Sequence, residues 1–269
     1  MTDFWDKVLK FSETTAAQVG KQLLGDFGHV QASQKDDGTL VTQSDRWADR
    51  EIREAIAEAF PDHGILTEEG DRTFPDTEWC WAIDPLDGTT NFSRGIPIWG
   101  VSLGLLYRGT PVFGYVELPP LSQSFHGFWY GDTGLSGPDG AYLNKKPIHP
   151  SSDALSKNHF FSLCSRSVGL APKLSPCKIR MLGVATYNLL SVATGIAIGG
   201  IEATPKIWDI AATWAIVQAA GAVWIPLESE QIFPLQGDRD YTDRPFPTLA
   251  VARPELVSHF DSVAREIGR

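Results

Sequence analysis

The chain has 269 residues, 42% of them hydrophobic and 21% charged, with 33 acidic against 23 basic side chains and a formal net charge of -10. That length allows one large domain or two of ordinary size, and the composition excludes a disordered or low-complexity protein. The acidic balance weighs against nucleic acid as a partner, since a polyphosphate needs a basic surface. It leaves room for a small anionic substrate wherever bound cations reverse the local field.

The opening MTDFWDKVLKFSETTAAQVGKQLL predicts an amphipathic helix. Phe4, Val8, Leu9, Phe11 and Leu23 are mixed with charges instead of forming the apolar block of a signal peptide, so a cytoplasmic location is expected. "DDGTLVTQSD", from Asp36 to Asp45, lacks the acidic spacing and closing glutamate of a calcium loop. A second helix follows, with Ser44 as its expected N-cap, Ala48, Ile52, Ile56 and Phe60 on one face, and Pro61 as its stop. A short strand from Gly64 to Leu66 then ends at "TEEG", which places Glu68 and Glu69 at a strand end.

"WCWAIDPLDGTTNFSRG" reads as a buried strand, WCWAI, running into a loop. Pro85 and Gly88 can bend that loop so that Asp84 and Asp87 converge. Carboxylate and carbonyl oxygens are the ligands of hard cations such as Mg²⁺. The amides of Gly88, Thr89 and Thr90 suit phosphate oxygens. By themselves, two aspartates at this spacing are more simply turn caps. Asn91-Phe92-Ser93 is a glycosylation sequon by form only, because no secretory signal accompanies it.

A hairpin is predicted around Arg108 to Pro111, and Gly131 to Pro150 reads as a surface stretch. Trp99 and the aromatic run Phe125 to Tyr130 fit either a subunit face or, more commonly, a core. The second half alternates: a helix from Ala185 to Ala193, a strand from Ala197 to Glu202, a helix from Ile207 to Ala220, and strands near Ala222 to Pro226 and Pro247 to Ala252. Asp209 heads the longer helix, where capping alone would explain it. The most apolar stretch, near Leu189 to Ile201, is too short to cross a bilayer. Cys80, Cys164 and Cys177 are too scattered for a disulfide framework and read as reduced. Two aspartates separated by two residues do not fit the aspartyl-phosphate phosphatase motif, which separates them by one, and no H-E-x-x-H motif occurs.

Taken together, "TEEG", "WAIDPLDGTTNFSRGIP" and "WDIAATWAIVQAAGA" resemble, in order and spacing, the signature blocks of the inositol monophosphatase family. The resemblance extends to "DGTLVTQSD" and "LGVATYNLLSVATG". It implies an α+β fold, a layered α/β/α/β/α sandwich. An N-terminal α+β half, residues 1–150, would carry most metal ligands, and a C-terminal α/β half, residues 151–269, would carry Asp209 and the substrate pocket. Carried over by position, Glu68, Asp84, Asp87, Asp209 and the carbonyl of Leu86 would hold two or three Mg²⁺ ions, with Glu69 the lesser of the glutamate pair.

On the same resemblance, Asp45, Thr89 and Glu68 would be catalytic, and the amides of Gly88 and Thr89 would meet the phosphate. Asp87, Gly183, Ala185, Glu202 and Asp209 would meet substrate, with Ser165 a weaker candidate. Val184 stands where inositol phosphatases often carry Thr or Ser. The implied activity is direct hydrolysis of a small phosphorylated metabolite by a metal-activated water. Inositol monophosphate is the first choice of substrate and histidinol phosphate the second; a non-catalytic cation-binding protein is a more distant reading. Lithium sensitivity and a homodimer are also implied, with neither nucleic acid nor membrane as partner.

Overall fold

The computed structural model describes residues 2–35 and 38–267; Asp36 and Asp37, at the head of the DDG run, lie outside the described residues. Along the chain come helix α1 (Thr2–Asp26), a small antiparallel pair of β1 (Ser33–Gln34) and β2 (Leu40–Val41), and helix α2 (Gln43–Ala59). Strands β3 (Gly64–Thr67) and β4 (Trp79–Asp87), the one-turn helix α3 (Thr89–Ser93), and strands β5 (Gly100–Tyr107), β6 (Thr110–Leu118), β7 (Gln123–Phe128), β8 (Gly140–Leu143) and β9 (Lys146–Pro147) follow. β3 to β9 form one seven-stranded sheet in chain order, parallel between β3 and β4 and antiparallel elsewhere.

The remaining chain supplies β10 (Phe160–Leu163), β11 (Lys178–Arg180), α4 (Ala185–Ala193), β12 (Ala197–Glu202), α5 (Ile207–Ala220), β13 (Val223–Pro226), β14 (Thr248–Val251) and α6 (Val257–Ala264). Its five strands make a second, mixed sheet in the order β11-β10-β12-β14-β13.

The layers follow from alternation along the strands. On β4, Trp81 and Ile83 face the core under α1 and α2, while Cys80 and Ala82 face the core that holds α5. Burial on both faces is why this strand reads as a continuous apolar run. α4 lies beside α5 and against β12, and Phe260 of α6 meets Phe161 on the far side of the second sheet at 4.8 Å. The stack is therefore helices, seven-stranded sheet, helices, five-stranded sheet, helix: the expected α/β/α/β/α sandwich.

α5 sits unusually deep on the large sheet. Gly104, Gly114 and Gly127 are direct cross-strand partners on β5, β6 and β7, and form a row without side chains. A Cβ at Gly104 would lie 2.8 Å from the amide nitrogen of Ala212, and one at Gly127 would lie 2.9 Å from the Cα of Ile216. At Gly114 it would overlap the carbonyl oxygen of Ala212.

Several expectations change. The N-cap of α2 is Thr42, not Ser44: the Thr42 hydroxyl takes the amides of Ser44 and Asp45, and Ser44 instead donates to Asp26 Oδ2 at 2.7 Å. The stretch 131–150 is not merely surface, since Asn144 and Lys145, both at positive φ, turn the chain so that β9 returns along β8. Trp99 is fully buried, in edge contact with Phe92 at 5.0 Å, and so belongs to the core rather than to a subunit face. The expected helix and strand from Ala185 to Glu202 and the helix from Ile207 stand as read. Among the described residues the three cysteines are unpaired, and no helix is long and apolar enough to cross a membrane.

Gly114→Ala should cost at least about 2 kcal/mol, the scale of overpacking a filled core, measured as a drop in the urea unfolding midpoint at unchanged slope.

Candidate active site

In a flat strand, residues three apart point to opposite faces. Asp84 and Asp87 escape this because β4 pairs Asp84 with Ser102 and Asp87 with Gly100, so one extra residue is inserted as a bulge. The strand thus runs through Asp-Pro-Leu-Asp, which the sequence assigns to a loop. Pro85 is tolerated because a bulge residue owes the ladder no N–H. The inserted residue returns both aspartates to one side, and Leu86 N closes a tight turn onto Asp84 Oδ1 at 2.9 Å. Gly88, at φ +94°, carries the chain from strand into α3; a side chain there would also meet Val184 Cγ2 at 2.8 Å.

Asp209 arrives from α5. As the third residue of the helix it bends back to accept the amide of Lys206 on Oδ2 at 2.6 Å, so it does cap. It also faces the bulge: ligand oxygens of Asp84, Asp87 and Asp209 lie within 4.8 Å of one another. Asp45 repeats this geometry on α2. Its Oδ2 takes the amide and hydroxyl of Thr42 at 2.8 and 2.5 Å, and its Oδ1 takes the Thr89 hydroxyl at 2.8 Å. The Thr89 oxygen is also 3.2 Å from the carbonyl of Leu86.

Glu68 lines the same cleft, but its Oε1 is held by Lys35 Nζ at 2.9 Å, and Glu69 pairs with the same ammonium. The cleft, of ≈ 560 Å³, continues past the aspartates to a second wall made by Gly183 to Ala185, Glu202 and Ser165. Asp87 Oδ2 reaches this wall and accepts the amide and hydroxyl of Thr186 at 2.8 and 2.5 Å. Glu202, 4% exposed, accepts Asn188 Nδ2 at 2.6 Å.

Thr186, Asn188 and Lys35 are site residues that the sequence did not single out. Their residue types are unremarkable, and only their partners give them roles. Asn91, set aside as a sequon, donates Nδ2 to the carbonyls of Ile98 and Leu182 at 2.9 and 2.8 Å and ties the two walls together.

Burial dominates the electrostatics. It pushes the Asp84 and Asp209 carboxyls well above the usual range, and the charges of Glu68 and Asp87 push both further; Asp209 adds to the rise at Asp84, while the hydrogen bonds of Lys206 and Asp84 oppose that at Asp209. Glu68 rises to about 7, chiefly by burial against the opposing pull of Lys35. Glu202 rises to about 8 for the same first reason, although Asn188 stabilises its ionised form. Burial likewise raises Asp87, opposed by the Thr186 hydrogen bonds, and Asp45, opposed by those of Thr42 and Thr89. Converging carboxylates at this spacing repel one another unless protonated or neutralised by a cation. The donor set consists of oxygens only, which fits a hard divalent cation and not a thiolate- or imidazole-seeking metal.

A five-layer sandwich with an acidic cleft between its sheets, and a Thr–Asp pair at the edge of the acids, is a scaffold for hard cations beside an oriented hydroxyl, and the comparisons with known proteins give its class as a phosphoric monoester hydrolase. The chain belongs to the inositol monophosphatase family, whose family model matches residues 5–252. It is 32% identical over 232 residues to a fructose-1,6-bisphosphatase/inositol-1-monophosphatase of Aquifex aeolicus, covering 81% of this chain and 85% of that one. It is 34% identical over 238 residues to an inositol-1-monophosphatase of Synechocystis, covering 80% and 77%. Among solved structures it resembles an IMPase from Thermotoga maritima with a TM-score of 0.79, at 28% identity, over 97% of this chain and 99% of that chain.

Glu68 and Glu202 keep protons in the folded state that unfolded carboxylates release near pH 4.3. Their raised values therefore contribute stability that is complete below that pH and is lost as pH rises through about 7 and 8. In chelator, the melting temperature should fall between pH 5.5 and 8.5. Mg²⁺ should restore more of it at the higher pH, and Asp84→Asn should flatten both trends in differential scanning fluorimetry.

Proposed function

We propose that the protein is a Mg²⁺-dependent phosphatase of small sugar-alcohol monophosphates, with inositol monophosphate as the first candidate substrate and histidinol phosphate as the second. The observation that carries this reading is the meeting of Asp84, Asp87 and Asp209 within 4.8 Å, beside a Thr89 hydroxyl already oriented by Asp45. Those three aspartates, Glu68 and the Leu86 carbonyl would hold the ions. Residues 1–150 supply most of these ligands, and residues 151–269 supply Asp209 and the leaving-group wall. Bound Mg²⁺ would supply charge neutralisation of the phosphate and a water acidified towards neutral pH.

The chain's own groups do the positioning. Thr89 donates its hydroxyl hydrogen bond to Asp45, which leaves an oxygen lone pair free to accept a hydrogen bond from the attacking water. Asp45 in turn is fixed by both donors of Thr42, so the pair is preorganised before substrate arrives. The first amides of α3, after Gly88, face the phosphate position. Across the cleft, Glu202 accepts hydroxyl donors of the leaving group, with Gly183 and Ala185 beside it. Val184 adds an apolar surface where a hydroxyl would have offered a polar contact.

A homodimer is the expected assembly, while Ile96 and Met181, exposed by 44% and 50%, stand at the rim of the substrate cleft. The amphipathic α1, with Trp5 and Val8 packed in the core, fits a cytoplasmic enzyme. Inhibition by lithium is expected from a site of this kind.

Phosphate release from myo-inositol 1-phosphate should require Mg²⁺ and disappear in chelator and in Asp209→Asn; equal release in all three would refute the reading. Thr89→Ala should lower kcat by about 10²–10⁴, as loss of a proton-relay group does, with KM little changed.

A further inference from the structure

Four of the five carboxylates that line the cleft are placed by regular structure: Asp84 and Asp87 by the β4 bulge, Glu202 by the end of β12 and Asp209 by the first turn of α5. Glu68 is the exception. It stands one residue past β3, whose last paired residue is Thr67, and its amide reaches the carbonyl of Ile83 at 3.2 Å. Its side chain pairs with Lys35, and its carbonyl oxygen accepts Arg72 Nε at 2.8 Å.

Arg72 is half-buried, outside the cleft lining, and its guanidinium does two things at once. While Nε donates to Glu68, the central carbon lies over the ring of Trp208, 5.5 Å from its centre. Trp208 is the residue before Asp209. It is 4% exposed and its carbonyl accepts the hydroxyl of Ser102 at 3.5 Å, so the indole is a fixed platform. The main chain of Arg72 reaches the same helix turn by a second route. Its carbonyl accepts the amide of Tyr241 at 3.0 Å, and the carbonyl of Thr242 receives Lys206 Nζ at 2.9 Å. Lys206 is also the residue whose amide holds Asp209. Both routes from the Glu68 turn to the head of α5 pass through Arg72.

We infer that Arg72 is a positioning residue for the metal site: it holds the turn that carries Glu68 in register with the helix turn that carries Asp209. This rests on the phosphatase reading above and goes beyond it. α5 is seated by its packing on the glycine row, so the Glu68 turn is the part that is brought to the helix. A guanidinium donates in its plane while covering an aromatic ring, and a compact, strongly hydrated ammonium is a poor substitute. Without the link, a cation would have to order the Glu68 turn as it binds, which weakens binding. Once the cation is bound, the arrangement around it is the same.

The test measures Mg²⁺ binding to the metal-free protein by titration calorimetry, beside kcat for myo-inositol 1-phosphate at saturating Mg²⁺. Arg72→Met should weaken Mg²⁺ binding by about tenfold, the scale on which partners of metal ligands act, while kcat at saturation is largely kept. Arg72→Lys should stay closer to Arg72→Met than to the unmodified protein. Trp208→Leu should weaken binding too, and Trp208→Phe, which keeps a ring, should do so less. Combining Arg72→Met with Trp208→Leu should cost less than the product of the two single effects, because both cut the same link; a general loss of structure would not produce that coupling. Unchanged Mg²⁺ affinity in Arg72→Met, full recovery in Arg72→Lys, or independent effects in the double variant would overturn the inference while leaving the phosphatase reading standing. Failure of the unmodified protein to bind Mg²⁺ would overturn that reading and this inference with it.

Discussion

The architecture depends on how closely helix α5 approaches the central sheet. Three glycines paired across β5, β6 and β7 remove every side chain from its path, and Ala211 and Ala212 on the helix are small in return. With side chains at these three positions α5 would stand further from the sheet. Asp209 is the sole charged residue of that helix. Its position opposite the β4 bulge is thus a consequence of packing in the middle of the molecule rather than of anything near the cleft.

Two aspartates, Asp45 and Asp209, use one local device for two purposes. Each is the third residue of a helix and turns one oxygen back to the amide of the residue before the helix. That hydrogen bond fixes the carboxylate rotamer, and the other oxygen is left aimed at the site. An N-terminal carboxylate is usually a stabilising cap, and here the cap also serves as the mount. The capping reading and the ligand reading of Asp209 were therefore never in competition.

Much of this was legible in the amino-acid order. The apolar run that opens β4, the largely apolar α5 and the alternation from Ala185 to Glu202 declare themselves because burial dictates their composition. What stayed hidden depends on partners distant in sequence. Pro85 argues for a loop unless the residue is known to sit in a bulge, and the bulge is defined by Ser102 and Gly100 on the neighbouring strand. β8 and the edge strand β9 are short, and their existence is decided by pairing, β8 with β7 and β9 with β8, more than by their own propensity. Thr42 and Ser44 are equally good caps by type; Asp45, three residues after Thr42, decides between them by closing the capping box. Thr186 and Asn188 carry no motif, and only the tertiary fold sets them against Asp87 and Glu202.

The side chain of Asn91 has a consequence for the sequon in which it lies. An N-linked sugar would be attached through Nδ2, and in the folded chain that nitrogen joins the carbonyls of Ile98 and Leu182, one from each wall of the cleft. With the residue only 7% exposed, no glycan can be housed there. A chain glycosylated at Asn91 before folding would lose the bridge between the walls.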